Sequence, residues 1–257
     1  MVNIHAVPAF KDNYIWVLAE NGHAAAVDPG ESLPVERFLE KSGLELTAIL
    51  ATHHHGDHVG GVPALVEHWQ CPVFGPAHET IPEIRHPLVE GDRITVPGFA
   101  LSFAVLDIPA HTAGHIAFVD SGDEPLTFCG DTLFACGCGR LFEGTARQMS
   151  ESLAKLAALD RATRVYCGHE YTLANIGFAQ AVEPGNRRLA ERKAREEAKR
   201  ARGEPTLPST ISEELATNPF LRCTEPEVIA SAERHAGKRL ADEVDVFAEI
   251  RAWKNSF

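Results

Sequence analysis

Thr52-His53-His54-His55-Gly56-Asp57-His58 is the stretch of this 257-residue sequence that says most about its fold and its chemistry. Imidazole nitrogens suit zinc, iron and similar ions, and a carboxylate adds a hard, charged oxygen ligand. The candidate metal ligands are therefore His53, His55, Asp57 and His58. His54, in the middle of the run, is expected to point away from its neighbours.

The residues on either side of this run predict a strand that leads into a helix. Leu46 to Ala51 is apolar and rich in strand formers, and Val59 to Trp69 has the apolar spacing of a helix. Three more potential ligands follow other strand-like segments at their carboxyl ends: His111, Asp131 and His169. Because α/β proteins usually assemble their sites at that edge of a sheet, all seven ligands could meet at one point.

Two interpretations without a specific function also have to be considered for the histidines. A histidine-rich patch can bind metal adventitiously, but here an aspartate interrupts the run and distant strands supply further ligands, which favours a built site. Lone histidines are usually surface residues or hydrogen-bonded core residues. We interpret six others in this way: His5, His23, His68, His78, His86 and His235.

Composition predicts a soluble globular protein with a sizeable core, since 44% of the residues are hydrophobic. The amino terminus lacks a basic start followed by a long apolar run, and no stretch approaches membrane-spanning length, so neither export nor membrane insertion is expected. Scattered cysteine spacings suggest no disulfide framework and favour the cytoplasm. A net charge of −12 argues against nucleic acid as a general partner. A monomer is expected.

Two further segments allow more than one interpretation. Cys136-Gly137-Cys138 could be a redox or metal pair, but its spacing differs from the usual two-residue gap, which favours a tight glycine turn. Asn186 to Arg202 is strongly helical with a basic excess. A solvated helix face with internal ion pairs is the favoured interpretation, and a weak nucleic-acid docking arm is the other.

The order of predicted elements indicates two sheets packed together with helices outside. The predicted strands are Asn13–Ala19, Ala24–Asp28, Ala48–Thr52, Pro72–Phe74, Arg93–Val96, Ala100–Ile108, His115–Val119, Leu126–Cys129 and Arg164–Cys167. From about Leu173 the strand signal disappears, which predicts a mainly helical appendage. The predicted helices along the chain are Leu33–Ser42, Gly60–Trp69, Ser150–Ala158, Leu173–Ala181, Arg187–Ala201 and Glu225–Arg251.

With these ligands laid out, the chain resembles the metallo-β-lactamase fold superfamily, and within it the glyoxalase II or hydroxyacylglutathione hydrolase family. The resemblance spans the whole chain, including the helical tail. It is carried by Pro8-Ala9-Phe10-x-Asp12-Asn13-Tyr14, Asp28-Pro29-Gly30, residues 52–61, His111-Thr112-x-Gly114-His115, Gly130-Asp131-Thr132-Leu133-Phe134, Gly137 to Thr145, Gly168-His169-Glu170-Tyr171-Thr172 and Arg251-x-x-Lys254-x-x-Phe257.

The resemblance implies a four-layer αββα sandwich in residues 1–172, the metal-binding catalytic domain, and a helical substrate-binding domain in residues 173–257. It also implies two divalent metal ions, zinc first and iron or manganese as alternatives. One ion would take His53, His55 and His111, and the other Asp57, His58 and His169. Asp131 would bridge them, and Asp57 and Asp131 are the expected catalytic carboxylates.

The family's substrate is a glutathione thioester, typically S-D-lactoylglutathione, which is hydrolysed to glutathione and D-lactate in the second step of methylglyoxal detoxification. The resemblance assigns substrate binding to Arg140, Leu141, Phe142, His169, Tyr171, Arg251 and Lys254. Some members have lysine and tyrosine where this chain has Arg140 and Phe142. Arginine can replace lysine as an anion contact, but phenylalanine supplies no hydroxyl.

Other functions on the same fold are the alternatives, because fold alone does not determine a reaction. A glutathione-dependent persulfide dioxygenase would have a single-iron site and would lack the tail that ends in Arg251-x-x-Lys254. A β-lactamase is disfavoured because no export signal is expected. A non-enzymatic metal-binding protein is disfavoured because the bridging Asp131 is present.

Overall fold

The structure, a computed structural model, describes residues 2–257 and places two six-stranded sheets face to face. The first sheet has the order β1 (Asn3–Ala9), β2 (Asn13–Glu20), β3 (His23–Val27), β4 (Glu45–Leu50), β5 (Val73–Pro76) and β6 (His86–Leu88). The second contains β7 (Arg93–Thr95), β8 (Ser102–Asp107), β9 (Ile116–Asp120), β10 (Leu126–Gly130), β13 (Arg164–Cys167) and β14 (Ser209–Thr210). A small hairpin joins β11 (Leu133–Phe134) to β12 (Gly137–Cys138).

The helices lie mostly in the second half of the chain. Three precede the second sheet: α1 (Ser32–Ser42), α2 (Gly56–Val59) and α3 (Val62–Trp69). The others are α4 (Ala146–Ala157), α5 (Thr172–Val182), α6 (Arg187–Ala201), α7 (Ile211–Thr217), a short 3₁₀ turn (Pro219–Leu221), α8 (Pro226–Ala236) and α9 (Glu243–Ser256). No helix within residues 2–257 is long and apolar enough to cross a bilayer.

Strand β2 shows why the sheets stack as they do. Successive side chains of a strand point to opposite faces, and β2 is buried on both. Tyr14, Trp16 and Leu18 join the core that includes the second sheet, whereas Ile15 and Val17 pack with α1 and α3. Helices α4 and α5 add side chains to the core of the second sheet. The order helix, sheet, sheet, helix confirms the predicted four-layer sandwich.

The strand directions bring the ligand-bearing turns to one edge of the sandwich. Strand β4 runs parallel to β3 and β5, and residues 52–58 follow its carboxyl end. Strand β10 runs parallel to β13, so Asp131 and His169 leave the second sheet side by side. His111 follows β8, which pairs with β9 next to β10. The turns do meet at one edge of the sandwich, but they leave two sheets rather than the single sheet that was expected.

Five strands escaped the sequence-based prediction: β1, β6, β11, β12 and β14. Strand β1 is an edge strand that includes Pro8, which lacks the N–H that an inner strand would have to donate. Strand β14 is only two residues long, and it pairs with β13 at the edge of the second sheet. The prediction that strands end before Leu173 was therefore wrong. A two-residue strand has no periodicity to detect, because its position depends on the sheet that it joins.

Helix boundaries differ from the prediction where capping residues act. The predicted helix Glu225–Arg251 is two helices, α8 and α9. Gly237 ends α8 with a left-handed φ of 67°, and the side chain of Asp242 caps the start of α9 by accepting from the Asp245 N–H. Helix α4 begins earlier than predicted because Thr145 and Gln148 form a capping box. The predicted helix Gly60–Trp69 corresponds to α3, which begins at Val62, and the short α2 before it was not predicted.

The basic helix α6 carries the predicted ion pairs, but its central pair is not solvated. Arg192 is fully buried and donates to Glu214 Oε1 at 2.7 Å and to Thr217 Oγ1 at 2.6 Å. The second oxygen of Glu214 accepts from the Cys136 N–H at 2.8 Å. This buried network joins α6 and α7 to the β11–β12 hairpin.

The cysteines form no disulfide within residues 2–257: all six are free and buried. Cys136 lies in the turn between β11 and β12, so the turn interpretation of Cys136-Gly137-Cys138 is confirmed. The residue with the left-handed φ of 56°, however, is Cys136 rather than the glycine.

Candidate metal centre and substrate cavity

The sequence-predicted ligands form two groups with Asp131 between them. His53, His55 and His111 form one group and Asp57, His58 and His169 the other, and the ligand atoms within each lie within 4.8 Å of one another. Asp131 Oδ2 lies 3.5 Å from His111 Nε2 and 3.2 Å from His169 Nε2, while Oδ1 lies 3.4 Å from His58 Nε2. Asp131 thus touches both groups.

Three atoms at the centre of this cluster are buried polar atoms without a hydrogen-bond partner: His53 Nε2, His58 Nε2 and Asp131 Oδ1. Buried polar atoms normally have partners, and each exception needs an explanation. Imidazole nitrogens and carboxylate oxygens around one small volume are a donor set for divalent transition metals. The residues therefore fit two such ions.

Four of the histidine rings are oriented from behind by an oxygen at Nδ1, which leaves Nε2 for the centre. The distances are 3.1 Å from His53 to Thr52 Oγ1, 3.1 Å from His58 to Asp28 Oδ2, 2.9 Å from His111 to the Arg140 carbonyl and 2.9 Å from His169 to Asp12 Oδ1. Outer partners of this kind are typical of metal-binding histidines. His55 differs, because its Nδ1 faces His111 Nε2 at 3.1 Å.

The charges of the cluster are strongly coupled. Burial lowers the pKa of His53 well below its usual value and also lowers the pKa of His111, so that both favour the neutral form with a free lone pair. Burial opposes charge on His58 as well, but the adjacent Asp131 outweighs it and raises the pKa of His58. Despite its burial, Asp131 has a pKa well below the usual range because His58 and His169 stabilise the carboxylate.

Three residues around the centre were not predicted. Asp28 also accepts from the Thr52 N–H and hydroxyl, both at 2.7 Å, so that it orients the His58 ring and the start of the ligand run together. Asp12 reaches His169 from the other end of the chain. His115 Nε2 accepts from the Asp131 N–H at 3.1 Å. All three stand in motifs that carry the family resemblance, and Asp28 also follows the end of β3, beside the ligand-bearing end of β4; these were the available sequence signals.

A cavity of about 640 Å³ leads from the cluster to a flank with three cationic side chains. His55, Asp57, His111, Asp131 and His169 line its metal end, and Arg140, Phe142, Tyr171, Arg251 and Lys254 line the rest. The structure thus brings together all the predicted substrate residues except one. Leu141 lines a neighbouring depression with residues of α9.

The substrate-side residues differ in how freely they face the cavity. Tyr171 stacks on the His169 ring at 4.6 Å, and Phe142, which is 61% exposed, stands edge-on to His55 and His111. Arg251 is buried and donates to the Cys138 carbonyl at 2.8 Å. Burial, followed by the nearby Arg251, lowers the pKa of Lys254 to about 8.

His54 lies outside both ligand groups. Its Nδ1 is 3.0 Å from Glu79 Oε2 and its Nε2 is 3.5 Å from Glu143 Oε1, so the ring turns from the centre towards two carboxylates.

Two family models together match the chain from residue 10 to residue 257. Residues 10–169 match the family model of the metallo-beta-lactamase superfamily, and residues 170–257 match the model of the hydroxyacylglutathione hydrolase C-terminus. A hydroxyacylglutathione hydrolase of Nitrosomonas europaea is 53% identical over 257 residues, which are 100% of this chain and 97% of that protein.

Solved structures share the fold at lower identity. The crystal structure of ETHE1 from Myxococcus xanthus is 25% identical with a TM-score of 0.65, covering 100% of this chain and 99% of that one. The crystal structure of TTHA1623 in a di-iron-bound form is 26% identical with a TM-score of 0.59, covering 85% of this chain and 100% of that one. On the family-model matches and the full-length relative, this chain belongs to the hydroxyacylglutathione hydrolase family of the metallo-beta-lactamase superfamily.

Proposed function

We infer that this protein is a hydroxyacylglutathione hydrolase, a thioesterase that converts S-(2-hydroxyacyl)glutathione into glutathione and a 2-hydroxy acid. The observation that carries this inference is the full-length similarity to enzymes of that name, from the metal-ligand half to the carboxyl-terminal helices. S-D-lactoylglutathione is the substrate that we propose, with D-lactate as its product. The comparisons do not favour the alternative of a persulfide dioxygenase.

We propose that the site holds two divalent metal ions, one in each ligand group, with Asp131 as the shared ligand. The orphaned buried atoms of His53, His58 and Asp131 support this proposal, and a related fold has been solved in a di-iron-bound form. When bound, two such ions lower the pKa of a shared water and stabilise negative charge on an attacked carbonyl oxygen. Zinc is our first choice, and iron and manganese suit the same ligands.

We propose that the two carboxylates Asp57 and Asp131 hold and orient the attacking water. Asp57 is 42% exposed at the cavity, and its Oδ2 accepts from Asn13 Nδ2 at 3.0 Å, which restricts its rotation. Asp131 is buried, and its carboxylate lies between three histidines. A thioester suits this arrangement because its thiolate leaves without strong acid assistance, since thiols have a pKa near 8.5.

We propose that the cationic flank binds the glutathione part of the substrate. Lys254 and Arg140 provide positive charge for its carboxylates in a protein whose net charge is −12. Tyr171 stacks on His169 at the metal end and lines the same cavity as the cationic flank, so it can contact the thiol side of the substrate. Arg251 has an unpartnered Nε but already donates to the Cys138 carbonyl, so we assign it to shaping the flank as well as to binding.

The same proposal extends to the domains, the oligomeric state, the location and the partners of the protein. Residues 1–172 would form the catalytic domain and residues 173–257 the substrate-binding domain. We propose a cytoplasmic monomer without nucleic-acid or membrane partners. The six free cysteines and the internal ion pairs of the basic helix α6 support this proposal.

The test is an assay of purified protein with S-D-lactoylglutathione, combined with metal analysis of the same sample. We expect release of glutathione and about two transition-metal ions per chain. Full activity with only one ion after metal supplementation would contradict the bridging role of Asp131. Oxygen uptake with a glutathione persulfide would instead support the dioxygenase alternative.

A further inference from the structure

Glu79 has a buried carboxylate beside the candidate metal centre, although nothing in the sequence marks it. It lies in the loop between β5 and β6, and its side chain is 2% exposed. Oε1 accepts from the Thr112 hydroxyl and from the Gly114 N–H at 3.1 Å, and Oε2 lies 3.0 Å from His54 Nδ1. Since a carboxylate oxygen accepts, His54 donates this third hydrogen bond.

These partners belong to separate ligand-bearing segments. His54 lies between the ligands His53 and His55, and Thr112 follows the ligand His111. Glu79 therefore joins the turn after β4 to the turn after β8.

A third segment is attached through Glu143. This residue accepts from the Ala113 N–H at 2.7 Å and lies 3.5 Å from His54 Nε2. The same loop provides the Arg140 carbonyl that orients His111. Glu79 and Glu143 thus contact the residues that adjoin the ligand group of His53, His55 and His111.

The packing at Gly114 shows that the turn after β8 lies very close to Glu79. A Cβ at Gly114 would lie 2.6 Å from Glu79 Cγ, closer than real Cβ atoms come, and 3.0 Å from the backbone carbonyl of His78, which is tighter than most real Cβ contacts. Only glycine allows the turn after β8 to approach Glu79 in this way.

His55 is the ligand that most needs such support. The other four histidine ligands each have an oxygen partner at Nδ1, whereas within residues 2–257 the His55 ring has none. With no outer oxygen to orient its ring, His55 depends on the position of its backbone. The neighbouring His54, fixed between Glu79 and Glu143, provides that position.

We propose that Glu79 is a positioning residue that keeps His53, His55 and His111 arranged for one metal ion. The proposal rests on the metal assignment made above. Outer hydrogen-bond partners of metal ligands typically change affinity or activity by about 10- to 100-fold when they are removed. Glu79 acts one residue away from the ligands, through the backbone of the two turns.

The test compares Zn²⁺ binding by the wild-type protein, Glu79→Ala and Glu79→Gln, using dialysis against a series of zinc–chelator buffers. We expect Glu79→Ala to bind one of its two ions about 10-fold more weakly or worse, and to keep the other at wild-type affinity. Glu79→Gln should lose less, since its amide oxygen can still accept from Thr112 and Gly114, but its NH₂ group cannot accept from His54.

Glu83→Gln is the matched control, because Glu83 lies in the same loop but on the surface, 3.8 Å from Arg85. It should bind both ions as the wild type does. At limiting zinc, kcat of Glu79→Ala should fall while KM for the thioester changes little. A merely structural role would lower the unfolding temperature without separating the two ions.

Wild-type affinity for both ions in Glu79→Ala would overturn the proposal, and so would equal weakening of both. If Glu79→Ala does not fold, Thr112→Val removes one of its partners and should weaken the same single ion. Unchanged zinc binding in Thr112→Val would then contradict it. A wild-type protein that binds fewer than two ions would instead refute the metal assignment itself.

Discussion

At the scale of single residues, Asp131 is the carboxylate that contacts both candidate ligand groups. It is buried, its carboxylate lies within 3.5 Å of three histidine nitrogens, and its own N–H is held by His115. Asp131→Ala removes the one ligand that touches both groups and leaves several histidines to repel one another once they are protonated.

We predict that Asp131→Ala lowers kcat by roughly three orders of magnitude or more, as expected when a metal-held nucleophile is lost. Its metal content should fall below one ion per chain. His54→Ala is the comparison, because His54 lies outside both ligand groups: it should retain most activity at saturating zinc. Equal losses in the two variants at equal metal content would contradict the ligand assignment.

Lys254 allows substrate holding to be separated from chemistry. We predict that Lys254→Ala raises KM for the glutathione thioester about tenfold, which corresponds to roughly 1.4 kcal/mol for one partly exposed charge-assisted hydrogen bond. Metal content and kcat should stay unchanged. Hydrolysis of a thioester without the glutathione carboxylates is the control, and an equal loss on both substrates would indicate a structural role for Lys254.

The pH dependence of KM follows from the same residue. Burial and the nearby Arg251 lower the pKa of Lys254 to about 8, so the ammonium is present below pH 8 and is lost above it. We predict that the wild-type KM rises between pH 7 and pH 9 towards the value of Lys254→Ala. The variant's KM should be much flatter, since titration of the substrate affects both proteins equally. Parallel profiles would exclude Lys254 as the titrating contact.

At the scale of secondary-structure elements, the buried ion pair between α6 and α7 sets the position of the β11–β12 hairpin. Removing one partner of a buried pair leaves the other charge uncompensated, at a cost of about 3–5 kcal/mol. We predict that Glu214→Gln lowers the free energy of unfolding by about that amount, since Arg192 loses its counter-charge and Cys136 its carboxylate acceptor. Urea unfolding provides the measurement.

The surface pair of Arg195 and Glu213, at 2.8 Å on the same two helices, is the control. Glu213→Gln should cost less than about 1 kcal/mol, because exposed ion pairs contribute little. The residues that follow β12 include Arg140, so Glu214→Gln should also raise KM. Similar, small stability changes in both variants would show that burial of the pair is not important.

At the scale of the whole molecule, the metal ions are expected to act as a clamp between the two sheets. Their ligands come from the turns after β4, β8, β10 and β13, which belong to different sheets. A ligand present at about 1,000 times its Kd stabilises the folded state by about 4 kcal/mol. In a protein of this size, that corresponds to a shift in Tm of roughly 10 °C.

We therefore predict that removing the metals with a chelator lowers Tm by roughly 10 °C and that zinc restores it. Asp131→Ala should show little response to either treatment, which makes it the control for chelator effects unrelated to the site. A wild-type Tm that does not respond to complete metal removal would show that the metal ions do not stabilise the packing of the two sheets.

The sequence by itself determined the strand-rich first half, the four-layer architecture and the residues that meet at one edge of the sandwich. These features depend on local patterns: apolar runs of strand length, glycine turns and polar residues placed directly after strands. The helix boundaries at Gly237 and Thr145 were also encoded locally, in capping residues that the apolar pattern does not reveal.

Only the tertiary structure decided which residues stand behind the ligands. Asp12 meets His169 across 157 positions, Asp28 meets His58 across 30, and Glu79 meets Thr112 across 33. Asp12 and Asp28 stand in motifs that carry the family resemblance and Glu79 stands in none, but which ligand-bearing turn each of them meets depends on how turns from two packed sheets face one another. Hydrogen bonds between turns depend on that packing, which no spacing within a single segment can specify.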